Sequence, residues 1–119
     1  MRNSPQDVHK KSLGKYGERR AVRYLKEQGY EILKTNYRTP FGEADIVARD
    51  GETVVFCEVK TRQSDAFGTP SEAVDFRKRK RYIDMARAFL VRAGDVNIRF
   101  DVMEVTEEGI NHIVSAFEA

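Results

Sequence analysis

The sequence predicts an α/β fold in which a central mixed sheet is flanked by helices, in the order helix, three strands, helix, two strands. Three observations predict it. Two segments repeat apolar residues at helical spacing, and the stretches beside them are β-branched runs bounded by turn residues. A helical segment also separates the third strand from the fourth, and a crossover of that length pairs strands in parallel with a right-handed connection. At 119 residues the chain has the size of one ordinary domain, so a single site is expected.

Residues 1–11 are polar without apolar periodicity and read as a flexible arm ahead of a single domain over 12–119. A helix is expected from Ser12, with Leu13, Gly17, Ala21, Tyr24 and Leu25 as its stripe and Gly29 just past its end. Tyr30 to Tyr37 reads as the first strand, closing before Pro40. Glu43 to Arg49 and Thr53 to Thr61 read as an antiparallel pair, with Asp50-Gly51 as a two-residue hairpin signal. Gln63 to Thr69 is turn-forming, and Pro70-Ser71-Glu72 reads as the start of the second helix, whose stripe is Ala73, Tyr82, Ile83, Ala86, Phe89 and Leu90, ending at Gly94. Val96 to Thr106 and Ile110 to Phe117 complete the sheet around a turn at Glu107-Glu108-Gly109.

Composition narrows the function classes. Apolar residues make up 40% of the chain and charged residues 34%, the balance of a folded globular protein. No apolar run exceeds four residues and the N-terminus lacks the apolar segment of a secretory signal, so a cytoplasmic address with no membrane partner is expected. Cys57 is the sole cysteine, which excludes an internal disulfide or a multi-thiolate zinc cluster and reads as buried strand filler. His9 and His112 are isolated from metal-ligand spacing and read as structural or solvated.

Alternate residues of a strand share a face, so Glu43 and Asp45 point one way, as do Phe56, Glu58 and Lys60 on the partner strand. The hairpin brings Asp45 and Glu58 within reach of each other. Two carboxylates about 5 Å apart repel by roughly 3 kcal/mol at an effective dielectric near 20, and a divalent cation removes that cost. Mg²⁺ prefers oxygen ligands and is usually held by one or two carboxylates, waters and substrate phosphate oxygens. Lys60, two residues beyond Glu58, is placed to orient or deprotonate an attacking water or to neutralise charge on a phosphate. Glu18 falls on the helical stripe of Val22 and Leu25, behind Gly14 and Gly17, and reads as a further ligand approached closely by the backbone. The competing readings are a solvated cross-strand ion-pair face for Asp45, Glu58 and Lys60, and an arginine partner such as Arg19 or Arg77 for Glu18.

The pattern Gly42-Glu43-Ala44-Asp45, twelve residues, then Glu58-Val59-Lys60 resembles the PD-(D/E)xK nuclease signature, without the proline of its name and with Ala44 where relatives carry a larger aliphatic residue. Its surroundings resemble the bacterial YraN family: Gly14-Lys-Tyr-Gly-Glu18, Asn36-Tyr-Arg38, Gly42 to Asp45 and Val55-Phe-Cys-Glu-Val-Lys-Thr-Arg62. That family is similar to archaeal Holliday junction resolvases. The resemblance implies a restriction-endonuclease-like fold and a metal-dependent endonuclease active on nucleic acid, branched DNA included. It implies Asp45 and Glu58 as Mg²⁺ ligands with Mn²⁺ as a substitute, Lys60 as the catalytic lysine, Glu18 as the first-helix glutamate and Glu43 as a further acidic member. A homodimer is expected by the same analogy, because symmetric resolution of a junction needs two cuts.

The basic residues fall mainly in two segments. Eight lie between Arg2 and Lys26 and seven between Arg77 and Arg92, including the unbroken run Arg77, Lys78, Arg79, Lys80 and Arg81. Such a run suits phosphate contact, with Lys10, Lys11, Lys15, Arg19 and Arg20 extending the surface and Arg38 and Arg62 beside the motif strands; the plainer reading is a solvated face with pairs such as Lys80 to Asp84. Phe67 is a candidate for base stacking, whereas Tyr16 and Tyr24 read as core. Two other functions stay open: a nucleic-acid-binding module without catalysis, and an adaptor that recruits a repair or recombination protein.

Overall fold

In the computed structural model, residues 5–62 and 75–118 are described, with side chains from residue 13 onward. Among the described residues seven elements follow in the expected order: α1 (Pro5–Glu27), β1 (Glu31–Thr39), β2 (Gly42–Asp50), β3 (Thr53–Thr61), α2 (Phe76–Ala93), β4 (Asn97–Thr106) and β5 (Gly109–Phe117). The sheet runs β1-β2-β3-β4-β5, antiparallel except for the parallel pair β3–β4 across the α2 crossover. No described helix is long and apolar enough to cross a membrane.

Each face of the sheet buries its own cluster. On one face Ala21 and Leu25 of α1 pack with Ile46, Ala48, Val55, Cys57, Met103 and Val105. On the other face Tyr82, Met85 and Ala86 of α2 pack with Ala44, Val47, Val54, Phe56 and Phe100. β2, β3 and β4 are therefore apolar on both faces, and Cys57 is the buried filler expected, its thiol pushed far up by burial.

Three boundaries differ from expectation, each for a physical reason. α1 begins at Pro5 rather than Ser12, because proline's fixed φ and missing donor suit a first helical turn, while the polar residues after it add helix without adding an apolar stripe. The β2–β3 hairpin turns on Gly51-Glu52 rather than Asp50-Gly51, since Asp50 pairs with Thr53 and Gly51 supplies the positive φ of 60°. α2 begins at Phe76, capped by Asp75 in an extended conformation whose carboxylate accepts from Lys78 N–H at 3.0 Å. Pro70, Ser71, Glu72, Ala73 and the segment 63–69 with Phe67 lie outside the described residues, as do residues 1–4 and the side chains of His9, Lys10 and Lys11.

The shifted turn positions the site. Pairs on β2 and β3 run from Asp50↔Thr53 to Ile46↔Cys57, a register that carries Asp45 opposite Glu58, whereas a turn centred on Asp50-Gly51 would set Asp45 against Phe56.

The two glycines of α1 separate in role. A Cβ on Gly17 would stand 1.8 Å from Thr61 Oγ1 and 2.9 Å from Thr61 Cβ, so α1 rests on the end of β3 through bare backbone. Gly14 meets nothing within 4 Å, and the close approach expected there is absent. Tyr16 is likewise exposed instead of core, with the Arg20 guanidinium 5.6 Å from its ring centre. Gly17→Ala should therefore lower stability by about 1–3 kcal/mol despite a better helix former. Gly14→Ala in the same helix should raise it by up to about 1 kcal/mol. Urea unfolding of both variants checks the pair, and a stabilising Gly17→Ala would contradict the packing described.

Candidate active site

β2 departs from regular alternation where the acidic residues begin. Ala44 packs in the α2-side cluster with Val47, an odd separation that a regular strand would send to opposite faces. The regular β2–β3 pairs end at Ile46↔Cys57, and Val59 N–H, which faces β2, donates to Asp45 Oδ2 at 2.7 Å. A side chain thus takes over from the ladder, and Asp45 is held by backbone.

Glu43, Asp45 and Glu58 from the strands and Lys78, Arg81 and Tyr82 from α2 line one cleft of about 320 Å³. The helical residues belong there by spacing, since Lys78 and Arg81 lie four and one residues before Tyr82, on the stripe that continues to Met85 and Ala86. Gly42, at φ 146°, brings the β1–β2 turn against Arg81, whose Cδ would lie 3.4 Å from a Cβ at that position.

Glu58 is held at both oxygens. Tyr82 Oη donates to Glu58 Oε2, and Lys78 Nζ donates to Oε1 at 2.7 Å. Burial, together with the charges of Glu58 and Asp45, keeps the Tyr82 hydroxyl well above the usual phenol range, so it remains a donor. Burial opposes the Lys78 charge, but hydrogen bonding and attraction from Glu58, with Asp45 and Asp75, raise its ammonium above the ordinary lysine value. Asp45 is pushed up to about 7, first by burial and then by the charge of Glu58, with Glu18 adding and the Val59 N–H and Lys78 opposing.

Glu18 stands in a neighbouring cleft with Lys15, Arg19, Val22, Thr35 and Asn36. Its partner is Asn36, which reaches it from a left-handed backbone conformation (φ 50°) that asparagine tolerates better than most residues. Burial raises its pKa, and Glu43 and Glu58 raise it further, which puts Glu18 in the same electrostatic neighbourhood as the cleft. The competing reading of an arginine partner, Arg19 or Arg77, gives way to an amide.

The remaining candidates are distributed unevenly. Lys60 is exposed at the end of β3, paired in register with Glu104 and not part of the cleft lining. Arg62 Nε lies 3.2 Å from Oε2 of the fully buried Glu104. Arg38 is exposed, 3.5 Å from Glu43, and Lys80 pairs with Asp84 at 3.5 Å. Arg77 is exposed, and Arg79 turns toward β5, with its guanidinium 5.9 Å from the Phe117 ring centre. The basic run is thus split by helical phase: Lys78 and Arg81 face the cleft.

His112 is structural, as expected, but not solitary. Its Nε2 lies 2.7 Å from Asp101 Oδ2, and Asp101 also accepts both Nε and Nη2 of Arg99 at 2.9 Å and Ser115 N–H at 3.0 Å. Burial works against the Asp101 carboxylate, yet these partners hold it below the usual range.

Sequence reasoning missed Tyr82 as more than core, Asn36 as the partner of Glu18, and Glu104. The phase of the stripe through Tyr82 was the available signal for Lys78. Asn36 is marked in the sequence only by its place in the Asn36-Tyr-Arg38 segment of the family resemblance and by asparagine's tolerance of positive φ, neither of which points to Glu18.

The α-β-β-β-α-β-β order, the five-stranded mixed sheet and the acidic cleft across β2 and β3 define a small α/β domain of restriction-endonuclease-like arrangement. The model of the family described as "Uncharacterised protein family UPF0102" matches residues 17–105, and the chain belongs to that family, the YraN family that the sequence resembles. It is 50% identical over 115 residues to a UPF0102 protein of Alkaliphilus oremlandii (strain OhILAs), covering 90% of this chain and 98% of the relative. It is 47% identical over 117 residues to a UPF0102 protein of Geobacter metallireducens (strain ATCC 53774 / DSM 7210 / GS-15), covering 93% and 96%. Against UPF0102 protein CD630_12710 of Clostridioides difficile (strain 630) it is 43% identical over 114 residues, covering 92% and 100%.

A carboxyl whose folded pKa is raised binds more protons folded than unfolded, so its contribution to stability is fully present below the unfolded value near 3.8 and is lost as pH climbs to about 7. Asp45→Asn removes the charge and keeps an oxygen for Val59 N–H. It should stabilise the protein in chelator by about 1–3 kcal/mol at pH 8 and change little at pH 4. Urea unfolding at the two pH values tests this, and an equal effect at both would rule out an ionised, crowded Asp45.

Proposed function

We propose that this protein is a Mg²⁺-dependent endonuclease that hydrolyses phosphodiester bonds of nucleic acid, DNA first, with Asp45 and Glu58 as metal ligands. One observation carries the reading: the buried Glu58 and the half-buried Asp45, on adjacent strands, share a cleft whose opposite wall is cationic. The donor set fits. Among the described residues no three His, Cys, Asp or Glu side chains form a metal cage, and Mg²⁺ is a cation commonly held by only one or two carboxylates, with waters and substrate oxygens completing its shell.

When bound, Mg²⁺ or its substitute Mn²⁺ supplies a Lewis acid that polarises the scissile phosphate and acidifies water. Asp45 presents its carboxylate from a fixed position, because Val59 N–H holds Oδ2. Tyr82 orients Glu58 through Oε2. Glu43 in the cleft and Glu18 in the neighbouring one lend negative charge at the margin, and Glu18 would join the metal's shell as a third ligand only through a bridging water. Lys60, at the open end of β3, is assigned to the attacking water or the developing phosphate charge. In the reaction the water oxygen bonds to phosphorus, the bridging P–O bond breaks, and the proton lost by the water is balanced by one gained by the leaving oxygen.

Lys78 and Arg81 would receive phosphates at the cleft, and Arg38, Arg62, Arg77, Lys80 and Lys15 the backbone farther out. Two copies would supply the paired cuts that a branched substrate needs. A second reading, a nucleic-acid-binding module that does not cut, is favoured by the exposure of Lys60 outside the cleft lining.

A panel of branched, single-stranded and duplex DNA with RNA controls, incubated with Mg²⁺ or Mn²⁺, decides between them. Asp45→Asn, Glu58→Gln and Lys60→Ala should each reduce cleavage by at least about 100-fold while leaving the fold and DNA affinity largely intact. Undiminished cutting by all three would falsify the nuclease reading. Binding equal in wild type and Lys60→Ala, with no cleavage by either, would establish the second.

A further inference from the structure

We propose that Lys78 is an internal counter-ion standing in for the divalent cation: its ammonium holds Glu58 Oε1 while no metal is bound, and yields that oxygen when the metal arrives. The inference rests on the reading of Asp45 and Glu58 as metal ligands and adds an order to the binding events.

The two oxygens of Glu58 are held unequally. Oε2 takes its hydrogen bond from Tyr82, a buried side chain on the packed stripe of α2, and its orientation is set by the core. Oε1 is held by Lys78, whose side chain is 41% exposed against 11% for Glu58. An ion pair that is half wet at one end is weak, and a divalent ion can displace it at small cost. The backbone end of Lys78 stays in place through its N–H to Asp75 Oδ1, so the four-carbon side chain moves without moving the helix.

Charge counting gives the exchange a consequence. With its groups ionised, the cleft sets the three carboxylates of Glu43, Asp45 and Glu58 against the two cations Lys78 and Arg81, a net negative lining that repels phosphate. One divalent ion reverses the sign. It also frees the Lys78 ammonium on the same wall, where an incoming phosphodiester is the complementary group. Metal would therefore bind before nucleic acid, and Lys78 would serve each state in turn.

The test is Mn²⁺ titration by calorimetry at pH 8, without nucleic acid, on the full chain as wild type, Lys78→Met, Lys78→Arg and Arg81→Met. Lys78→Met should bind Mn²⁺ about 3- to 10-fold more tightly than wild type, the scale of removing a partly exposed competitor. Arg81→Met, which deletes a charge from the same cleft, should change the affinity less, and Lys78→Arg should stay near wild type. In a Lys60→Ala background with Mn²⁺ present, Lys78→Met should weaken oligonucleotide binding several-fold. Unchanged or weaker Mn²⁺ binding by Lys78→Met overturns the counter-ion, as does an equal gain from Arg81→Met, and both leave the metal site itself standing. Absence of Mn²⁺ binding by wild type and Lys78→Met alike overturns the counter-ion and the metal reading together. Circular dichroism confirms that each variant is folded, and Lys78→Arg keeps the comparison interpretable if the methionine variant is not.

Discussion

The structure turns on a repulsion: Asp45 and Glu58 sit on neighbouring strands with their carboxylates in one partly dry cleft. A fold bears such an arrangement only when the surroundings hold it in place. Here Val59 N–H holds Asp45, Tyr82 and Lys78 hold Glu58, and the flanking residues Val47, Phe56 and Tyr82 lie in one buried cluster. Each support comes from an element that the sheet topology places: β3 beside β2, and α2 over them because it is the crossover to the parallel strand β4. The α1 side adds the Gly17–Thr61 contact, which sets the helix carrying Glu18 against the end of β3, one residue beyond Lys60.

The protein contains a useful contrast in its other buried carboxylates. Asp101 is fully enclosed, but Arg99, His112 and Ser115 satisfy it, and its pKa goes down. Glu104 is equally enclosed and has Arg62 at 3.2 Å. Asp45 is pushed the other way, toward protonation, because its strongest neighbour after burial is another carboxylate. A carboxylate that partners stabilise is architecture, whereas one that its own fold makes uncomfortable keeps an unmet demand for positive charge. That difference in sign, more than the presence of acidic residues, singles out the β2–β3 cleft.

Much of this was legible in the sequence. The strands read well because their β-branched runs end at glycine and acidic turns, and β3 was bounded correctly at Thr53 and Thr61. The pairing of Asp45 with Glu58 was legible as proximity but not as register, since Asp-Gly favours one turn and the chain uses Gly51-Glu52, which moves the register by two residues. The early start of α1 was illegible because the polar run from Gln6 to Ser12 carries no apolar periodicity. Five consecutive cations from Arg77 to Arg81 looked equivalent until a helical phase was assigned, and Tyr82 as core residue already supplied it: the residue four before a buried position lies on the same face. That Asn36 partners Glu18, where an arginine was only the competing reading, depends on one left-handed backbone angle, which no apolar periodicity encodes.

Phase also explains how one short helix serves two ends that pull against each other. Residues Tyr82, Met85 and Ala86 need a dry face to anchor the sheet, while Lys78 and Arg81 need water to keep their charge. Placing each cation one turn toward the N-terminus from a buried residue, Lys78 from Tyr82 and Arg81 from Met85, meets both needs, because the stripe that is buried at Met85 has reached the rim of the sheet by Lys78. The cost is a positive charge near the helix N-terminus, where the macrodipole disfavours it; the Asp75 cap and the carboxylate of Glu58 offset that cost. Lys78 is therefore kept where it is by the same acidic groups that a divalent ion would claim, so the stability of this end of α2 and the occupancy of the cleft are tied to one side chain.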